Sequence, residues 1–302
     1  MVQQTTKLGG TASNVTVGRV AFKWIPTPAP EEQCFEAVKA GIDALPAGTK
    51  GFLNSGEFYA MDMKTGNLEM LSRFYARYPE YADKTFLSVK GAIRDRAPDN
   101  SAENIRASVE NSQRALGSIK KIDLFQPGRI DRRVPVEDMM QTLAALVKEG
   151  KISHIGLSEC NADTLRKANA VHPVTAVEIE VSPFSYEENQ KKVIATAAEL
   201  GISVIAYSPL GRGVLAGKIK SSADMEGITV AQLCIAWVAA QGPNVIPLPG
   251  SSKSTRTLEN LEAGDVVLSA EELKEMNEVI AKHGVKGDRS VGLTDEQMHL
   301  WG

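Results

Sequence analysis

Two residues of this 302-residue chain, Tyr59 and Lys90, would do chemistry if the fold brought them together. A tyrosine hydroxyl is a weak acid at neutral pH, but a cation within hydrogen-bonding reach favours its phenolate and makes it a usable proton donor. Tyr59 follows the hydrophobic run in GFLNSGEFYA (51–60), which also carries Asn54, and Lys90 lies late in TFLSVKGA (85–92). No other pair at the ends of such runs could release a proton so readily. The four histidines have no metal-ligand spacing, and His154 alone falls on a strand, too early in it to meet Tyr59. Cys34, Cys160 and Cys234 form no CxxC pair, which argues against a disulfide framework and a thiolate metal site.

The elements that must position this pair are repeated βα units. From residue 50 onward, short runs rich in β-branched residues (GFLNS, TFLSVKGA, KIDLFQPG, ISHIGLSE, TAVEIEVS, ISVIAYSPLG and NVIPLPGS) alternate with amphipathic stretches. Helix starts are marked by Asn100 with Glu103 and by Pro135 with Glu137 and Asp138; the second helix stops at Gly150. Further helical patterns are APEEQCFEAVKAGIDAL, NADTLRKANAVH, ENQKKVIATAAELG and TVAQLCIAWVAAQ. With VTVGRVAF before the first helix the strands number about eight, which predicts a closed (β/α)8 TIM barrel of parallel strands. An open doubly wound sheet would want GxGxxG after the first strand, and there is none. SAEELKEMNEVIAKHG, with Ser269 and Glu272 as a capping box, is an extra C-terminal helix. No linker interrupts the chain, so residues 1–302 are expected to form a single domain.

Composition narrows the partners. A net charge of −3, a pI near 5.9 and signs scattered along the chain offer no basic stripe for nucleic acid, so a small molecule is the expected partner. The first residues lack a signal-peptide pattern and no apolar run is long enough to span a membrane. A cytoplasmic protein is expected, with Asn14 a sequon by pattern only.

A barrel places reacting groups at the C-terminal ends of its strands. Those ends supply Asn54, Tyr59, Lys90, Gly128, Ser158 with Glu159, Glu178 with Ser182, and Tyr207 with Ser208. After the last strand, PGSSKSTR enters a helix; backbone N–H groups at a helix start attract phosphate, and Lys253 and Arg256 add two cations there. That set suits a monophosphate such as the adenosine 2'-phosphate of NADPH.

These segments resemble the aldo-keto reductases, (β/α)8 barrels that reduce aldehydes and ketones with NADPH. GISVIAYSPLGRGVLAG is similar to the family segment whose tyrosine, matched by Tyr207, stacks on the nicotinamide; Ser208 and Leu210 belong to the same cofactor segment. IPLPGSSKSTRTLEN is similar to the cofactor motif, which implies Ser252, Lys253 and Arg256 at the 2'-phosphate and Glu259 and Asn260 at the adenine. GLSE and AVEIEVS match segments that hold the carboxamide, through Ser158 and Glu178. FLNSGEFY, YPEYADKTFLSVKGA, KKIDLFQPGRID and the terminal LWG look most like the family's fungal pyridoxal reductase branch, which implies reduction of pyridoxal to pyridoxine. By the same resemblance Trp24 and Gly128 would line the substrate pocket.

The family's catalytic set is Asp, Tyr, Lys and His; the matching residues are Asn54, Tyr59, Lys90 and Gly128. Asn54 can hydrogen-bond Lys90 without neutralising it, leaving an unpaired ammonium, and Gly128 would leave room for a bulky pyridine aldehyde. The first strand runs almost directly into its helix, and SSADMEG (221–227) replaces a much longer family loop. Two alternatives stay open: a nucleotide-binding barrel without turnover, favoured by these shortened segments, and a Schiff-base aldolase through Lys90.

Overall fold

In a computed structural model of the chain, residues 5–16, 29–211, 228–283 and 294–302 are described. The strands are β1 (Thr6–Lys7), β2 (Asn14–Thr16), β3 (Thr49–Gly56), β4 (Thr85–Gly91), β5 (Ile93–Arg94), β6 (Ala97–Pro98), β7 (Leu124–Pro127), β8 (His154–Ser158), β9 (Ala176–Glu180), β10 (Ser203–Tyr207) and β11 (Val245–Leu248). The helices are α1 (Glu31–Asp43), α2 (Gly66–Arg77), α3 (Ala102–Leu116), α4 (Val136–Lys148), α5 (Ala162–Val171), α6 (Glu188–Leu200), α7 (Val230–Ala239), α8 (Ser254–Glu262) and α9 (Ala270–His283). Strands β2, β3, β4, β7, β8, β9, β10 and β11 neighbour one another in that order, each pair parallel. α1 lies against α8, which brings the two ends of the helical ring together. This is the nearly closed (β/α)8 barrel that the alternation of runs predicts, with α9 outside the repeat.

Side chains on a strand alternate faces, and here the alternation divides two cores. Leu53, Leu87, Val89, Phe125, Ile155, Leu157, Val177, Ile179 and Val204 pack beneath the helices. Phe52, Phe86, Leu124, Ala176, Ile205 and Ile246 form the lower barrel interior, where Phe52 and Phe86 stack 5.8 Å apart. Burying one such side chain contributes about 1.5–3 kcal/mol, so the interior layer is a structural floor.

An antiparallel hairpin of β1 and β2, which the sequence reading passes over, closes that floor from below. Leu8 is fully buried in the lower core, and Gly9 donates to Ser203 Oγ at 2.8 Å. Gly9 has φ +47°, and a Cβ there would lie 2.3 Å from the Thr175 carbonyl, so no side chain fits. Helix α2, not among the helical patterns predicted from the sequence, buries an apolar face of Leu68, Met70, Leu71, Phe74 and Tyr75. The α3 cap shifts by one residue from its expected place. Ser101 accepts from Asn104 N–H, while Asn100 is buried and accepts from Asp131 N–H at 2.8 Å. The Ser269–Glu272 capping box forms as expected. The expected first strand beyond Thr16, the segment 212–227 with the shortened loop, and Trp24 lie outside the described residues.

His154 opens β8, with its ring 5.6 Å from that of Phe86. Burial disfavours the imidazolium and holds its pKa below the ordinary histidine value. The folded state therefore binds its proton less readily than the unfolded chain, and stability falls as pH drops through about 6.5 and below. Urea midpoints measured at about pH 7 and 5.5 are expected to fall with acid, and to fall less in His154→Gln; equal slopes in the two proteins would refute this assignment. Asp131, held below the usual carboxylate range first by its hydrogen bond from Arg133, acts in a lower window, near pH 4 and below.

Candidate active site

Above the apolar floor, the same inward parity becomes polar. Asn54 on β3, Ser88 and Lys90 on β4, Gln126 on β7, Ser158 on β8 and Glu178 on β9 are all buried at the C-terminal half of the barrel. Gly156 makes room for this layer, because a Cβ there would lie 2.7 Å from Leu124 and 3.2 Å from Gln126.

Glu178 is the centre of the layer. Its Oε1 meets Lys90 Nζ at 3.0 Å, and its Oε2 accepts from Asn54 Nδ2 and Gln126 Nε2, both at 2.6 Å. Gln126 also donates to Ser88 Oγ at 3.1 Å. Lys90 Nζ lies 5.1 Å from the centroid of the Tyr207 ring, which brings β10 into the same group. The expectation of an unpaired Lys90 ammonium is therefore overturned. The carboxylate that Asn54 lacks is supplied from β9, and Asn54 donates to that carboxylate. A buried lysine without a counter-charge would carry a large desolvation cost, which is the physical reason for the pairing.

Tyr59 is positioned by a turn pinned at several points. Glu57 N–H donates to the Lys90 carbonyl at 2.8 Å, and Tyr59 N–H to the Gly56 carbonyl at 3.2 Å. The Tyr59 ring lies over Gly56, where a Cβ would come within 2.7 Å of it, and Gly56 is the register partner of Lys90. The Glu57 carboxylate accepts from Ser108 Oγ and, at 2.8 Å, from Asn111 Nδ2, so α3 holds the turn. Ser108 Oγ also accepts from Ala92 N–H at 2.8 Å, which ties the end of the Lys90 strand to the same point.

Gly128 does not open the pocket in the way expected. A Cβ at this position would lie 3.1 Å from Phe58 and 3.2 Å from Ile93, so those side chains already occupy the space beside it. Phe58 in turn meets the Tyr59 ring edge to face, with centroids 5.3 Å apart. The result is an apolar, aromatic wall next to the tyrosine.

Ser158 and Glu178 are register partners, and Ser158 Oγ is buried without a hydrogen-bond partner among the described residues. Glu159 turns away into the backbone: at φ +53° its carboxylate accepts from Glu180 N–H at 3.0 Å and its carbonyl accepts from Trp301 N–H at 2.9 Å. The terminal segment is held on this side of the barrel. Asn161 Nδ2 donates to the Trp301 carbonyl at 3.0 Å, Arg129 Nε to the Met298 carbonyl at 3.2 Å, and Leu300 is buried. Tyr207, Ser208 and Leu210 are half-buried at the end of β10, with Ser208 at φ +55°.

Lys253 precedes α8 without a side-chain cap, and Lys253 and Arg256 are exposed and take no part in an ion pair among the described residues. Gln33 Nε2 donates to the Ser252 carbonyl at 2.8 Å and holds this loop against α1. Glu259 accepts from Thr229 Oγ1 at 3.0 Å, and Asn260 is buried. An uncapped helix start beside two available cations fits a phosphate, and an unpartnered Ser158 hydroxyl fits a polar group at the barrel mouth. These features match what NADPH presents. No group of three or more His, Cys, Asp or Glu side chains suited to a metal ion occurs among the described residues, and no described helix is long and apolar enough to cross a membrane.

Gln126, Ser88 and Glu57 are missing from the sequence reading. Gln126 was legible in principle, because it shares the inward parity of Leu124 two residues earlier and lies in the rim layer. Glu57 gives no such signal, since its partners stand more than 50 residues away.

Residues 14–281 match the model of the aldo/keto reductase family. "Probable pyridoxal reductase 2" of Schizosaccharomyces pombe is 33% identical, over 91% of this chain and 93% of its own. A Saccharomyces cerevisiae relative, provisionally named for the same activity, is 31% identical over 90% and 94%. Aldo-keto reductase str7 of Strobilurus tenacellus is 32% identical over 82% of each chain. Among solved structures, a thermostable aldo-keto reductase in complex with the inhibitor epalrestat superposes with a TM-score of 0.75 at 22% identity, covering 92% of this chain and all of that one.

Proposed function

Starting from the chain's membership of the aldo/keto reductase family, we propose that it reduces an aldehyde with NADPH, that pyridoxal is the substrate and pyridoxine the product, and that Tyr59 is the proton donor. The observation that carries this reading is the buried Lys90–Glu178 pair beneath a tyrosine turn at the C-terminal rim. NADPH, when bound, would supply a hydride to the carbonyl carbon. Tyr59 then gives its hydroxyl proton to the carbonyl oxygen, and the proton is replaced from solvent. Lys90, register partner of the glycine beneath the Tyr59 ring, supplies positive charge that stabilises the phenolate left behind. Ser158 would offer a hydroxyl to the nicotinamide carboxamide, Tyr207 an aromatic face to its ring, and Lys253 with Arg256 would bind the 2'-phosphate. Phe58 and Ile93 give a planar aromatic aldehyde an apolar wall beside Tyr59.

The aldolase alternative requires Lys90 as a free amine. Its Nζ lies 3.0 Å from Glu178 Oε1, so the side chain is engaged in a buried ion pair rather than presented to a carbonyl carbon. NADPH absorbance followed with pyridoxal, alongside a fluorescence titration of the cofactor, tests the proposal. Oxidation of NADPH with formation of pyridoxine is expected; tight binding without oxidation of NADPH by any aldehyde would replace the reductase with a nucleotide-binding barrel.

A further inference from the structure

We infer that Glu178 is a positioning residue for the reaction: it is the counter-ion that pairs with Lys90 and aims it, in a barrel whose β3 position carries only an amide. The inference rests on the reductase reading for its catalytic meaning, but its geometry stands by itself. Three donors from three strands converge on one carboxylate: Lys90 from β4, Asn54 from β3 and Gln126 from β7. Both amides occupy Oε2, which fixes the rotation of the carboxylate and turns Oε1 to the ammonium.

The chemistry of position 178 makes a carboxylate necessary. A glutamine there could be met by Asn54 and Gln126, each of which can turn a carbonyl oxygen to its N–H, but it would bring no negative charge to the buried Lys90 ammonium. A buried ammonium left without its anion is disfavoured far more than a neutral amide left without a partner. Asn54 and Gln126 each also keep a carbonyl oxygen buried without a partner among the described residues, so the amides are oriented to serve Glu178 even though their own acceptors go unpaired. With Glu178 engaged in this way, its carboxylate is committed to Lys90, and contact with a cofactor amide at this end of the barrel falls to Ser158.

The test moves the charge across the barrel interior, from β9 to β3, with isosteric changes. Wild type, Glu178→Gln, Asn54→Asp and the double variant are compared by kcat for NADPH oxidation with pyridoxal across about pH 6–10, and by urea midpoint. Glu178→Gln is expected to lower kcat about tenfold or more and to move the alkaline limb of the profile to lower pH. In the double variant, which returns one carboxylate to the group on β3, kcat is expected to recover to within about threefold and the limb to move back. Wild-type kcat and profile in Glu178→Gln, or a double variant as impaired as the single, would overturn the inference. If wild type turns over no aldehyde, the reductase reading alone fails and the urea midpoint decides: it should drop in Glu178→Gln and recover in the double, and absence of recovery counts against Glu178. If Glu178→Gln does not fold, a folded double variant supports the pairing and an unfolded one overturns it.

Discussion

Tyr59→Phe is expected to lower kcat for aldehyde reduction about 10²- to 10⁴-fold, the range lost when a positioned general acid is removed. The change deletes one hydroxyl and keeps the ring, which packs over Gly56 and meets Phe58 edge to face. The turn is held by backbone bonds and by the Glu57 carboxylate bonded to Ser108 and Asn111 of α3, none of which involves the hydroxyl. NADPH affinity should therefore stay within about threefold of wild type, so that the loss lies in kcat and marks an interaction made only in the transition state. Steady-state rates with pyridoxal, paired with fluorescence titration, check both halves. A variant that reduces pyridoxal at the wild-type rate would require another proton donor. A variant that also loses the cofactor would show that Tyr59 acts on binding.

The second large effect is expected at α8. Replacing both Lys253 and Arg256 with alanine should weaken NADPH binding about 10²-fold at low salt, because each charge-assisted contact to a phosphate is stronger than a neutral hydrogen bond. NADH lacks the 2'-phosphate, so its affinity should change little, and the preference between the two cofactors should largely disappear. Both side chains are exposed, which lets added salt compete. The wild-type advantage for NADPH should shrink accordingly as ionic strength rises. Fluorescence titrations with NADPH and NADH at two salt concentrations measure these quantities. Equal losses for the two cofactors would place the phosphate elsewhere.

The acid-sensitive His154 and the Glu178 charge exchange probe different layers of one barrel. His154 stacks on Phe86 of the apolar floor, where burial disfavours its charged form. Glu178 and Lys90 lie in the layer above, where one charge is tolerated because the other neutralises it. A few residues along β4, from Phe86 to Lys90, separate a surface that excludes charge from one that depends on it. The step from structural floor to reacting layer is made within single strands by period-two alternation.

Much of this was legible in the order of residues. Alternating β-branched runs and amphipathic stretches dictate parallel βα units, because each element has one apolar face to bury and the next element is the nearest cover. Turn and cap chemistry is equally local: the Ser269–Glu272 box and the α4 start at Pro135 depend on residues within one helical turn and form where the sequence places them. Asn100 and Ser101 offer the same cap one residue apart, and the choice between them depends on Asp131, 31 residues from Asn100. The N-terminal hairpin was missed because a two-residue strand has no periodicity to detect. What tertiary structure alone decided is the pairing inside the barrel. The resemblance to the family's catalytic set pairs Asn54 with Lys90, yet the partner of both is Glu178, 124 positions from Asn54. Gly128 suggests vacant space by its type, whereas Phe58 and Ile93 come within 3.2 Å of where its Cβ would lie. Residue types reveal which groups need partners; in a closed barrel, where strands distant in sequence point inward to one axis, only the register and the available volume decide which partners they meet.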